Sequence, residues 1–363
     1  MNSFFFIYIL NIIFVYIFGG MSQKKRKFNF FPFFISYLVP WFFICFSNNG
    51  PDYSSYKDMV DMMNWENFSS SYISEPGFNF VIVCLKEISY NNYHLTLFLL
   101  KTLNIFLFAT SIYILRDRIN IRLSNLFFVV FYFLPAFYLL SMYVAIGLIL
   151  CSISLYIKYN IKLVPMLLVI VAAQIHNSAY LMIPIFALVY SNCASKFVNQ
   201  PVLKYGLLIG AFVLVSASTY IYSVAQSYFS EFSHYVYYLE KGNSGSGLYV
   251  YLMFIIQFII VFDIKKNNNT VEIPNILFLF TLFDFVFVLA SYQFIVIDRM
   301  SFYFLSSYYI LYPILLYKNR YVISQGVKYL LFFYTMIQAY FVYDARTSAL
   351  GMDSYHFFNP FLL

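Results

Sequence analysis

The residues most able to do chemistry gather in the most polar part of the chain, residues 47–77. The acidic members of this window are Asp52, Asp58, Asp61, Glu66 and Glu75. Lys57 is the only basic residue in that window. The whole chain has only 15 Asp and Glu residues. Because carboxylates are rare in so apolar a protein, their concentration in one place indicates a functional site.

Two of these carboxylates have neighbours suited to handling hydroxyl groups. Asp52 is followed by Tyr53 and Tyr56, so an acidic group lies beside two aromatic rings spaced about one helical turn apart, which suits a sugar. Glu75 would supply a second carboxylate for general acid or base catalysis. Both segments also have structural interpretations. The first could be a helix start after Pro51, and the second a Pro-Gly turn.

His176 lies in the polar run QIHNS, residues 174–178, which interrupts the otherwise apolar stretch 163–190. Polar groups at membrane depth must face protein or a cavity, so this run predicts a helix break beside a cavity. A histidine with a purely structural role is the alternative interpretation.

Arg299 follows Asp298 at the start of an apolar segment, and Tyr303 lies about one turn later on the same face. A guanidinium in this position is suited to binding a diphosphate, whereas an ion pair with Asp298 is the structural alternative. In one cavity, Arg299 could stabilise a diphosphate while Asp52 or His176 activates an acceptor hydroxyl. The sequence does not choose between these two bases, and the chemistry requires no metal or cofactor.

The composition indicates that the protein is surrounded by lipid rather than by water alone. The 363 residues are 62% hydrophobic and 10% charged, whereas soluble domains contain about 25% charged residues. We therefore predict an all-α, polytopic integral membrane protein with about 12 transmembrane helices, since each span needs about 20 apolar residues. The predicted spans are 4–20, 29–46, 94–115, 123–140, 142–157, 162–175, 177–190, 204–226, 248–264, 272–292, 299–317 and 326–343. Residues 1–363 are expected to form a single polytopic membrane domain.

Basic residues cluster in short loops, at 24–27, 116–122, 158–162, 265–266 and 318–320. The positive-inside rule explains these clusters better than nucleic-acid binding does. With the clusters inside, residues 47–93 form a periplasmic loop, and its segment 78–92 is an amphipathic or re-entrant piece rather than a span. His176 and Arg299 then also lie at the outer face.

The order of these motifs resembles the EpsG/Wzy-type polysaccharide polymerases. Residues 50–56, GPDYSSY, resemble the G-x-D-Y-x-x-Y of that family, and residues 75–78 resemble its E-x-G-[FY]. His176 begins a run similar to H-x-S-A. Arg299 with Tyr303 is similar to R-x-x-x-Y, and the end of the chain, 359–361, is similar to the family's P-[YF] tail.

Two arginines of the family pattern are missing. Residues 141–146, SMYVAI, lack the Arg of a Q-x-R-x-x-[IL]-A pattern, and residues 46–49 lack an Arg before the D-Y motif. Arg299 would then be the main outer-face cation, with Lys57, Lys86 and Arg346 as possible helpers.

The resemblance implies a multi-pass glycosyltransferase of the bacterial inner membrane, which polymerises O-antigen or a similar surface polysaccharide. It would join undecaprenyl-diphosphate-linked repeat units at the periplasmic face, with a lipid diphosphate as leaving group. Arg299 would bind the diphosphate and Asp52 or His176 would be the base. The expected sugar contacts are Tyr53, Tyr56, Glu75 and Tyr303. Implied partners are the lipid-linked glycan, membrane lipid, a chain-length regulator and a flippase.

Three other classes of membrane protein are alternatives. A flippase or transporter would show internal repeats and charges at mid-membrane, whereas the charges here are expected at the ends of spans. An O-antigen ligase would place its long outer loop late in the chain. An acyltransferase using acyl-CoA would need His176 on the cytosolic side.

The predicted topology is testable with reporter fusions. A periplasm-dependent reporter joined within residues 47–77 should be active, and the same reporter joined within residues 158–162 should be inactive, because basic loops stay in the cytosol. Placement of residues 47–77 in the cytosol would refute both the topology and the proposed outer-face chemistry.

Overall fold

The computed structural model describes residues 3–23, 27–69, 75–191, 248–268, 272–291, 300–317, 323–349 and 355–361. The described residues form helices and no named strand. The α-helices are α1 (Ser3–Met21), α2 (Phe30–Cys45), α3 (Tyr53–Met62), α4 (Pro76–Ile88), α5 (Tyr93–Ile114), α6 (Ile121–Phe127), α7 (Leu140–Tyr159), α8 (Leu163–Ile175), α9 (Met182–Tyr190), α10 (Leu248–Asn267), α11 (Glu272–Ser291), α12 (Tyr312–Leu315) and α13 (Gln325–Ala349). The all-α prediction is therefore confirmed for the described part of the chain.

The chain divides into two compact units. The first contains Met1–Phe186, Tyr308–Lys318 and Thr335–Leu363, and the second contains Ala187–Ser307 and Asn319–Tyr334. In the second unit α10 packs against α11, and Phe304 contacts three phenylalanine rings of α11. The prediction of a single membrane domain stays a prediction.

Helix α7 is the centre of the first unit, where it packs against α5 and α8. Of the residues in the most apolar stretch of each helix, 83% are buried in α7, against 33% in α1 and 44% in α5. Large apolar side chains on α2 and α8, including Phe34 and Leu167, are instead exposed. A helix that is apolar all round belongs in the interior of the bundle, and exposed apolar faces suit contact with lipid.

Among the described residues, α1, α5 and α7 are long and apolar enough to cross a membrane. They coincide with the predicted spans 4–20, 94–115 and 142–157. Shorter apolar helices occupy several other predicted spans. The span predicted at 204–226 lies outside the described residues, and the total of about 12 spans stays a prediction.

The segment predicted as one span at 123–140 is not a single regular helix in the structure. The α-helical part ends at Phe127, a π-helical turn covers Phe128–Tyr132, and a short 3-10 turn covers Pro135–Phe137 before α7 begins. Pro135 cannot donate a backbone hydrogen bond, so a regular helix cannot continue through it. The Tyr143 hydroxyl donates to the carbonyl of Tyr132 over 3.0 Å, which satisfies a backbone group beside the break.

The polar segment after α2 forms two helices. The prediction of a Pro-Gly turn at residues 76–77 is wrong, because Pro76 begins α4. Proline suits the first turn of a helix, where its fixed φ is favourable and no N–H is needed. Lys86 of α4 donates to the carbonyls of Val60, Asp61 and Met63 over 2.7–3.2 Å. Lys86 therefore caps the end of α3, which joins the two helices.

Gly77 sets the distance between α4 and α8. A Cβ atom on Gly77 would lie 2.7 Å from both the carbonyl carbon and the carbonyl oxygen of Gln174. Backbone atoms cannot move aside as the end of a flexible side chain can. The first turn of α4 can therefore approach the end of α8 only because residue 77 has no side chain.

Gly77→Ala should lower the stability of the purified protein by about 1–3 kcal/mol, the usual range for overpacking. Thermal unfolding in detergent would measure this change. Gly326→Ala is a matched control, since nothing lies within 4 Å of its Cβ position. An equal melting temperature for the Gly77→Ala variant and the unaltered protein would contradict the close approach.

Candidate functional site

The helix break predicted at His176 is present. Helix α8 ends at Ile175, His176 is extended with φ −144° and ψ 122°, and a 3-10 turn covers Asn177–Leu181 before α9 begins. The same end of α8 receives the start of α4, because Gln174 contacts Gly77. Glu75 is the N-cap residue of α4, so this packing brings its side chain to the break.

Glu75 and His176 form a hydrogen-bonded pair at this break. Glu75 Oε1 lies 2.6 Å from His176 Nδ1, and the N–H of Asn177 donates to the same oxygen over 3.3 Å. The side chains are 13% and 16% exposed, so both are shielded from water but still reachable. When Nδ1–H of a neutral ring donates to a carboxylate, Nε2 becomes the proton acceptor. Within the described part of the chain, Nε2 makes no hydrogen bond.

Ser141 connects this pair to α3. Its hydroxyl oxygen lies 3.3 Å from His176 Nδ1, and its N–H lies 3.5 Å from the Tyr56 hydroxyl oxygen. That oxygen also accepts the N–H of Leu140 over 3.1 Å. Tyr56 therefore caps the first turn of α7, where the side chain of Leu139 provides no cap.

Tyr56 is partly buried and neutral. Burial raises the pKa of Tyr56 to about 12, and the negative charges of Asp52 and Glu75 contribute in the same direction. Asp52 is the N-cap residue of α3, although its carboxylate makes no capping bond there. The structure thus brings Asp52, Tyr56, Glu75 and His176 into one neighbourhood, with Ser141 between Tyr56 and His176.

Tyr53 faces a different set of neighbours. Its hydroxyl lies 3.1 Å from Nδ1 of His94, and its ring centroid lies 5.6 Å from Nζ of Lys101. Burial raises the pKa of Tyr53 to about 12, with a further contribution from Tyr93. Both tyrosines are therefore neutral at physiological pH and act by hydrogen bonding and packing, not as proton acceptors.

The remaining predicted site residues are Arg299 and Tyr303. Arg299 lies outside the described residues, as does Asp298. Tyr303 is buried in the second unit, where its N–H lies 3.3 Å from the carbonyl of Met300. The roles predicted for Arg299 and Tyr303 stay predictions.

The suggested helper cations have other partners or are not described. Lys86 caps α3, and Lys57 lies 4.8 Å from the centroid of the Tyr93 ring. The side chain of Arg346 lies outside the described residues. No group of three or more His, Cys, Asp or Glu residues within the described ranges is arranged to hold a metal ion.

Sequence reasoning missed Ser141, His94 and Lys101. Lys101 had a usable signal, because a cation two turns inside an apolar span is rare and usually functional. The expectation that charges lie only at the ends of spans is wrong for Lys101 and for Asp284. These side chains are 1% and 5% exposed within α5 and α11, respectively.

Comparison with known proteins gives one match. The family model described as the EpsG family matches residues 30–360, which is most of the chain. No curated protein and no solved structure matches the chain. The matched range extends from α2, before the D-Y motif at the start of α3, to residue 360 of the tail. The chain belongs to the EpsG family, the family of Wzy-type polymerase-like proteins.

Proposed function

We propose that this protein is a polymerase that joins undecaprenyl-diphosphate-linked oligosaccharide repeats of O-antigen or a similar surface polysaccharide. The observation that carries the proposal is the pair formed by Glu75 and His176 at a helix break, 2.6 Å apart and partly shielded from water. Family membership supports the polymerase-like class, and the pair supports glycosyl transfer within it.

In the proposed reaction, His176 Nε2 accepts the proton of an acceptor hydroxyl as that oxygen attacks the anomeric carbon of the donor. The new glycosidic C–O bond forms while the bond from the anomeric carbon to the diphosphate oxygen breaks. The bonding electrons leave with undecaprenyl diphosphate. Glu75 holds Nδ1–H and stabilises the imidazolium that forms, as an orienting carboxylate does in other acid–base pairs.

This geometry favours His176 over Asp52 as the base. His176 has a carboxylate partner that fixes its orientation. Asp52 and Glu75 both act electrostatically on Tyr56, so we assign Asp52 to binding acceptor hydroxyls next to Tyr56. Glu75 changes from an expected sugar contact to an orienting group. Arg299 is proposed to neutralise the departing diphosphate.

The reaction is proposed to occur at the periplasmic face of a bacterial inner membrane, in a multi-pass protein with about 12 spans. A lipid-linked substrate presents its glycan at that face, where α3, α4 and the break after α8 would meet it. A flippase that supplies the substrate and a chain-length regulator are the proposed partners.

A lipid-linked oligosaccharide flippase is the second candidate, because Lys101 and Asp284 are charged groups buried within long helices. Lys101, however, donates to the carbonyl of Ser47 in the loop after α2. Its charge therefore has a partner in that loop.

The pair can be tested in cells whose only copy of the gene carries a substitution. His176→Ala and Glu75→Gln should lower long-chain glycan by about 10²-fold or more, because a general base contributes 10²- to 10⁴-fold. Single repeats should still reach the surface and can be counted on a glycan gel. Glu66→Gln is the matched control, since Glu66 is exposed in the loop after α3.

Three outcomes would count against the proposal. Loss of all surface repeats in a gene deletion would identify a flippase. Normal long chains in both pair variants, at normal expression, would exclude the pair from the reaction. Normal long chains in Asp52→Ala and Arg299→Ala together would remove the remaining site assignments.

A further inference from the structure

Lys101 is a buried cation without a carboxylate partner in the described structure. It lies two turns inside α5 and is 1% exposed. A buried ammonium is costly in an apolar helix, and an unbranched apolar side chain such as Met would pack there without that cost. Fold stability therefore does not account for a lysine at this position.

The partners of Lys101 belong to the D-Y motif and to the loop before it. Nζ donates to the carbonyl oxygen of Ser47 over 2.6 Å and lies 5.6 Å from the centroid of the Tyr53 ring. His94 is seven residues earlier, so it lies on the same face of α5. Its Nδ1 is 3.1 Å from the Tyr53 hydroxyl. One face of α5 thus contacts Tyr53 at its ring and at its hydroxyl.

The loop from Ser47 to Gly50 is held at several points. The Ser47 hydroxyl donates to Asn49 Oδ1 over 2.7 Å, and the N–H of Asn49 donates back to the Ser47 oxygen over 3.0 Å. The N–H of His356, from the tail 355–361, also donates to Asn49 Oδ1 over 2.8 Å. The ammonium of Lys101 is the point at which α5 holds this loop.

Gly50 connects the loop to Asp52 in a fixed conformation, so the position of the loop determines the position of Asp52. It has φ +117°, and a Cβ atom there would lie 2.9 Å from Cβ of Tyr138. Only glycine is readily accommodated in this conformation and this space. The N–H of Tyr53 donates to the carbonyl of Gly50 over 3.3 Å, which starts α3. A shift at Ser47 would therefore pass through Gly50 to Asp52 and α3.

We propose that Lys101 is a positioning residue of the candidate site. Its ammonium holds Ser47 and the Tyr53 ring, which orients α3 so that Asp52 and Tyr56 face the Glu75–His176 pair. Lys101 is too buried to touch substrate itself. The inference rests on the proposed function for its catalytic meaning, but the positioning is measurable without any activity.

The first experiment is hydrogen–deuterium exchange on the purified full chain in lipid nanodiscs. In Lys101→Met, the amides of peptides covering 47–56 should exchange at least about tenfold faster, because a hydrogen bond to a charged group is lost. Peptides covering 76–88 should be unchanged. Lys158→Met is the matched control, since it removes a lysine that pairs with Asp117 and should leave 47–56 unchanged.

The second experiment is a double-mutant cycle on polymerisation of lipid-linked repeats. Lys101→Met and Tyr53→Leu should each lower kcat/KM about tenfold, since both displace α3 and with it the acceptor-binding Asp52. The double variant should be no worse than the poorer single variant, because both substitutions break the same contact.

The two experiments separate the possible failures. Unchanged exchange at 47–56 in Lys101→Met would overturn the positioning role, whatever the activity. Faster exchange throughout the chain would also overturn it, since Lys101 would then support the whole fold. If the loss in the double variant equals the product of the two single losses, Lys101 and Tyr53 act independently, and the proposed shared contact is refuted. An unaltered protein that makes no polymer refutes the proposed function but leaves the exchange result to decide the positioning.

Discussion

The close approach of α4 to α8 is the contact on which the site depends. Gly77 lies against the backbone of Gln174, and without that contact the N-cap residue Glu75 could not reach His176. A pair of catalytic groups must be held within a fraction of an ångström, and sites on regular elements achieve this better than loops do. Here one partner begins a helix and the other follows the end of one, so the packing of two helices fixes the distance.

Helix breaks supply the polar groups that the site uses. A break inside an apolar bundle frees backbone N–H and C=O groups, and these must find protein partners because lipid offers none. Tyrosine hydroxyls fill this role twice, with Tyr56 capping the start of α7 and Tyr143 reaching the carbonyl of Tyr132. The numerous tyrosines of this chain therefore have a structural use besides the membrane interface. Tyr56 links the cap to the candidate site through Ser141.

The sequence predicted much of this arrangement for identifiable reasons. Long apolar runs predict helices wherever they occur, and the polar run at His176 interrupts one strongly enough to reveal the break. The start of α4 was missed because Pro-Gly is typical of turns, although proline fits the first turn of a helix equally well. The break at 128–139 was missed because its residues are as apolar as those of a span. Its burial depends on contacts distant in the sequence.

This chain lacks two arginines of the family pattern, one within residues 141–146 and one before the D-Y motif. At 141–146 the chain begins with Ser141, whose hydroxyl lies beside His176 and whose N–H approaches Tyr56. In that pattern Ser141 stands at the Gln position and Tyr143 at the Arg position, and the Tyr143 hydroxyl here donates to the carbonyl of Tyr132. Before the D-Y motif there is again no arginine, but Lys101 reaches the carbonyl of Ser47 from α5. Its ammonium donates to a backbone carbonyl of the protein. Under the proposed function, the cation for the diphosphate is therefore assigned to Arg299.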